Sequence, residues 1–129
     1  MIFSKQLTTT GDEAVYYSTS NGLVGGTGQH RAITTMIVCN TVSPSETDET
    51  TDGCNLTLNI CGTTSPNNVS TDANTIVKDL LIPPGETVFF SDEKIILGPG
   101  DSIRATASIA NHLSITVSTM YVGSSSETI

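Results

Sequence analysis

The chain has 129 residues, a formal net charge of −8 and only 14% charged residues, so Ser and Thr hydroxyls supply most of its polarity. A chain of that length fits a single domain, which removes roughly two thirds of its unfolded surface from water on folding. Its acidic balance opposes general affinity for nucleic-acid phosphates and for anionic lipid.

The opening residues, MIFSKQLTTTGDE, lack the apolar stretch of a secretory signal, and no apolar run reaches the length of a bilayer-crossing helix. The sequence therefore reads as that of a soluble chain made in a cytosol. Apolar residues recur with period two, which predicts strands at 2–8, 13–19, 30–42, 54–61 and 74–82, then at 86–91, 94–97, 101–108 and 113–122. In CNLTLNIC, Leu56, Leu58 and Ile60 share one face while Asn55, Thr57 and Asn59 share the other. Further along, Ile103, Ala105, Ala107 and Ile109 oppose Ser102, Arg104, Thr106 and Ser108. Leu113, Ile115, Val117 and Tyr121 oppose Ser114, Thr116 and Ser118.

The links carry turn chemistry: Pro84-Gly85, Ser91-Asp92-Glu93, Gly98-Pro99-Gly100-Asp101 and Ala110-Asn111-His112. Residues 83–108 are expected to form a compact β-meander that makes up about half of the fold. Longer loops fall at 20–29 (glycine-rich), 43–53 (acidic) and 62–73 (polar). The expected architecture is one all-β domain over 1–129, an antiparallel β-sandwich of eight to nine short strands, either jelly-roll or immunoglobulin-like. Residues 1–10 form an arm-like N-terminus and 123–129 a tail.

No chemistry-bearing motif is complete. The glycine loop has Gln29 after Gly28 where a phosphate loop needs lysine, and it also fails the dinucleotide spacing. Glu46, Asp48, Glu49 and Asp52 offer oxygen ligands to calcium, but in an order that matches no calcium loop, so they read as solvated. Neither Glu46/Asp48 nor Asp92/Glu93 shows the burial that would tune an acid–base pair. His30 and His112 stand apart. Cys39, Cys54 and Cys61 are odd in number and lack CxxC spacing, so they read as buried free thiols. Sequons at Asn55 and Asn68 have no secretory context. The absence of Trp, with aromatics at 5%, gives a sugar-binding face few platforms. Adjacent Tyr16 and Tyr17 point to opposite faces, so at least one serves the core or a subunit contact. The chain reads as a non-enzyme with no catalytic residue, no metal and no cofactor.

The stretches HRAITTMIVCNTV, CNLTLNIC and IVKDLLIPPGETVFFSDEKIILGPGDSIRATASIANHLSITVSTMYV resemble small β-sandwich virion proteins of tailed bacteriophages. The resemblance rests on Val38-Cys39-Asn40, on Pro84-Gly85, on Leu97 to Ile103, and on the closing hairpin element Ala110 to Ser118. It covers about the last three quarters of the chain, from near Tyr17. The loop SNGLVGGTGQ and the long acidic loop depart from that pattern. The resemblance implies a capsid decoration or cement protein, with a neck, tail or fibre-base component as alternative. A receptor- or glycan-binding module on the virion exterior is a further one. Major capsid protein or other virion proteins would be its partners, and it would form a homo-oligomer, most simply a trimer. Expected subunit or partner contacts are Met1, Ile2, Phe3, Tyr16, Tyr17, Leu23, Val24 and Ile129, along with the loops 20–29 and 43–53.

Overall fold

The computed structural model describes residues 2–17, 30–43, 53–62, 69–91 and 95–121. Among them run nine strands: β1 (Ile2–Gln6), β2 (Glu13–Tyr17), β3 (Arg31–Asn40), β4 (Cys54–Cys61), β5 (Thr75–Ile82), β6 (Thr87–Phe90), β7 (Ile95–Leu97), β8 (Ser102–Ala107) and β9 (Leu113–Tyr121). The period-two reading therefore finds every strand among the described residues, with bounds that agree within one or two residues where those ends are described.

The strands form two antiparallel sheets. Sheet A has the order β1-β9-β3-β6, with β7 also on β3, and sheet B has the order β2-β8-β4-β5. Strand β9 covers one side of β3 from Arg31 to Asn40, so β6 (on Met36–Cys39) and β7 (on Arg31–Ile33) lie end to end along its other side. Taking β6 and β7 as one interrupted strand, first pairs with last throughout: β1 with β9, β2 with β8, β3 with β6/β7, β4 with β5. This nesting is the topology of a jelly roll, and it decides between the two sandwich types left open by the sequence.

Two expectations are corrected by it. Residues 83–108 do not form a meander, because β6 and β7 belong to sheet A while β8 lies in sheet B. Nor do residues 110–118 close a hairpin, since β8 and β9 lie in different sheets. Turn residues fix where the chain reverses, but they do not say which sheet receives the next strand.

The core lies between the sheets. Leu56, Leu58, Ile103, Ala105 and Ala107 of sheet B and Val38, Leu113, Ile115 and Val117 of sheet A are all fully buried. Tyr121 keeps the phase of β9 but runs past the core and is half exposed, its ring 6.0 Å from the Arg31 guanidinium. In β4 the expected wet face is covered. Asn59 is buried because the 3-10 turn Asp72–Asn74 folds over it, and its amide donates to Thr71 O, Asn74 Oδ1 and Thr75 Oγ1 at 3.1, 2.8 and 2.9 Å. That turn also delays β5, expected from 74. Cys54 and Cys61 are buried as expected, whereas Cys39 is only half-buried, and all three are free thiols.

The passage from β5 to β6 crosses between the sheets through Pro83-Pro84-Gly85-Glu86. Gly85 sits at φ 77, and Glu86 N–H donates to Pro83 O at 3.1 Å, a type II turn with proline and glycine where such a turn requires them. Buried Asn40 holds this corner. Its Nδ2 donates to Ile82 O (2.9 Å), its N–H to Glu86 O (2.9 Å), and its carbonyl accepts from Gly85 N–H (2.9 Å). Its Oδ1 accepts from Val42 N–H at 3.1 Å. Leaving one such buried group unpaired costs about 1–3 kcal/mol.

The β8–β9 crossing has its own anchors. Asn111 is left-handed (φ 66) and donates its N–H to Leu7 O at 2.8 Å, while Leu7 N–H donates to Leu113 O at 2.9 Å.

Replacing fully buried Ile103 with Asp is expected to leave the chain unfolded, because an unpaired buried carboxylate costs several kcal/mol against a domain stability of about 5–15 kcal/mol. Far-UV circular dichroism checks it, with half-buried Thr106→Asp on the opposite face of β8 expected to stay folded.

Candidate functional site

The two sheets present different outer faces. The strands of sheet A carry only two charged residues, Lys5 and Arg31, and both fall in the inward phase. The outer face of those strands is therefore uncharged. Across it runs an apolar row, Met120–Ala32–Ile96, and a second row, Thr116–Ile37–Phe89, on β9, β3 and the β6/β7 edge.

Ala32 and Ile37 are five residues apart, which in a regular strand would put them on opposite faces. The register break between Ile33 and Thr35 absorbs one residue and brings both outward while Ile33 and Met36 both turn in. Of the large apolar side chains among the described residues, the four most exposed are Ile2 (68%), Phe89 (63%), Ile96 (57%) and Met120 (57%), and all four share this face. Large exposed apolar patches mark protein, membrane or ligand contact, or aggregation-prone surface.

Four hydroxyls of the face are paired with one another. Ser4 and Thr116 hydroxyls are 3.1 Å apart, and Thr34 donates to Ser118 Oγ and Ser118 O, each at 3.0 Å. Covering those four thus strands little hydrogen-bonding capacity.

Strand β7 also separates two apolar hollows. One opens on the outer face against Ile96, Met120 and Ala32; the other opens between the sheets against Ile76, Val77, Phe90 and Met36, and both touch Ile33 and Ile95. Among the described residues β6 and β7 pair only with β3, so no described strand covers their other side.

Sheet B is ionic outside. Arg104 Nε donates to Asp12 Oδ2 at 2.6 Å, and that bond, opposed by partial burial, holds the guanidinium still more firmly protonated than usual. Beside it a shallow polar groove is lined by Thr57, Asn59, Asp72, Thr75, Lys78 and Thr106. Asp79 forms a left-handed bulge (φ 50) there, its N–H donating to Thr57 Oγ1 at 3.1 Å. The side of the sandwich where β1 meets β2 is closed by Phe3 against Tyr16 (ring centroids 4.7 Å) and by Lys5 Nζ to Glu13 Oε1 at 3.5 Å. Burial would raise the Glu13 carboxyl, but the Thr9 N–H and hydroxyl on Oε2 (3.0 and 3.1 Å) together with Lys5 hold it below its ordinary value.

Of the contacts expected from sequence, Ile2 lies on the uncharged face and Tyr17 is exposed on the outside of sheet B. Tyr16 is buried in the core and half-buried Phe3 packs against it. Met1, Leu23, Val24 and Ile129 lie outside the described residues, as do loop 20–29 and nearly all of 43–53 with its acidic side chains. Sequence reasoning missed Phe89, Ile96 and Met120. The signal was there in Phe89-Phe90 and Ile95-Ile96, where apolar residues occupy both phases of an edge strand. Among the described residues no group of three or more His, Cys, Asp or Glu could hold a metal ion. Comparison with family models, with curated proteins and with solved structures finds no match to this chain.

Because the folded Glu13 titrates below the ordinary 4.5, its contribution is present above that value and is lost as pH falls through the lowered folded one. Glu13→Gln is therefore expected to lower the urea midpoint at neutral pH and to converge with the parent in acid; a pH series of unfolding curves checks it.

Proposed function

We propose that the chain is a structural protein of a tailed-bacteriophage virion, most simply a capsid decoration or cement protein. The observation that carries this reading is the rigid jelly roll with one uncharged outer face, on which the four most exposed large apolar side chains stand together. The turn residues that resemble phage virion β-sandwiches support the same reading. On it the protein acts by adding buried interface area between neighbours on the particle, which stabilises the shell against the pressure of packaged DNA.

The working parts are a surface and an edge, with no catalytic residue and no cofactor. Its partners are the major capsid protein or other virion proteins, with neither nucleic acid nor membrane among them. The acidic surface suits an exterior position away from DNA and opposes nonspecific clumping. The protein is made in the host cytoplasm and resides in the virion.

A glycan-binding role would use the hydroxyl-lined groove on sheet B, but the lining residues there include no aromatic platform. A neck, tail or fibre-base position would use the same surfaces as a head position, and location separates them.

Gold-labelled antibody to the chain, imaged on purified particles by electron microscopy, is expected to decorate heads. Label at one vertex or on the tail would make the protein a neck or tail component, and particles without label would overturn the virion reading.

A further inference from the structure

We propose that the uncharged outer face of sheet A is where copies of this chain meet one another. The inference deepens the assembly reading above and rests on it for the expectation of a homo-oligomer.

Charge selects the occupant. Each copy carries −8, so two copies repel unless they touch where no acids are brought together. Contact distances fall inside the screening length of about 8 Å at physiological ionic strength, so salt does not remove this constraint. Asp12, Asp72 and Asp79 lie on or beside sheet B, whereas the face of sheet A has no charged side chain among the described residues. The link 92–94, which carries Asp92, Glu93 and Lys94, lies outside them. Two copies meeting on this face bring no described acid against another, so self-contact adds no like-charge repulsion from the described residues there.

Size and chemistry agree. Four strands about 4.8 Å apart and nine residues of β9 at about 3.4 Å each give a face of roughly 19 by 30 Å. Side-chain relief raises that toward the ~800 Å² that a standard interface removes from each partner. The face combines exposed Phe89, Ile96, Met120 and Ile2 with the hydroxyl pairs Ser4–Thr116 and Thr34–Ser118, which keep their partners when covered. The two edges of sheet A, β1 and β6/β7, bound the face on opposite sides.

The test is the mass of the purified full chain in solution, by sedimentation and light scattering, at up to about 100 μM, above the micromolar limit expected for the weakest interfaces of this size. The parent is expected to sediment as a small whole-number multiple of the chain mass. Ile96→Lys combined with Met120→Lys is expected to be a monomer with unchanged circular dichroism, and Phe89→Glu, made separately, is expected to shift the same equilibrium. Thr106→Lys on sheet B is expected to leave the mass unchanged. A monomeric parent, or folded face variants that stay oligomeric, would overturn the proposal. A monomer that still labels phage heads would remove this inference alone, whereas an oligomer dispersed by the face variants but absent from particles would remove the virion reading alone.

Discussion

The fold turns on one buried asparagine. Asn40 ends β3, at the point where the chain returns from sheet B to sheet A through Pro83-Pro84-Gly85, and its backbone and side chain together make four hydrogen bonds to that corner and to the residue two ahead. A leucine there would fill the space yet lose the bonds to Ile82 O and from Val42 N–H. Asparagine supplies both a donor and an acceptor at the tip of a short side chain. With the corner held, β6 lies against β3 and the first-with-last nesting of the jelly roll follows.

That nesting decides which residues meet the outside. Interior strands β9 and β3 alternate strictly apart from the bulge near Thr34, but β6 and β7, at the edge of the described sheet, carry apolar side chains in both phases. Inward members Phe90 and Ile95 join the core, and outward members Phe89 and Ile96 are left in solvent. Sheet B spends its outer positions differently, on Arg104, Lys78 and Asp79 and on the hydroxyls of the groove. One fold thus yields a solvated ionic face and an uncharged apolar one. That asymmetry is the physical content of the assembly reading: desolvating sheet A strands no charge, whereas desolvating sheet B would strand several.

Strand positions were legible because period two is a local property, visible in each run such as SIRATAS or LSITV. Long-range assignment was not. Gly98-Pro99-Gly100-Asp101 forms a tight turn, with Asp101 N–H on Gly98 O at 3.1 Å, but the strand that follows joins the opposite sheet. The burial of Asn59 was hidden for a similar reason, since its cover comes from Thr71 to Thr75, more than ten residues away. Tyr16 and Tyr17 separated as adjacent strand residues must, one into the core and one out. Of the uncharged outer face, Ile2 was found from its place near the chain's apolar start. Phe89, Ile96 and Met120 were passed over because an apolar residue in a strand is ordinarily read as core until the sheet shows which side it faces.

Native-state hydrogen exchange most directly tests the claim that the Asn40 corner is integral to the fold. The amides of Asn40 and Gly85, which donate to Glu86 O and Asn40 O, are predicted to exchange only through global unfolding, at the rate and with the denaturant dependence of amides in central strand β9. Fast, denaturant-independent exchange at Asn40 and Gly85 while β9 stays protected would contradict the account, because the corner would then open without cost to the sandwich.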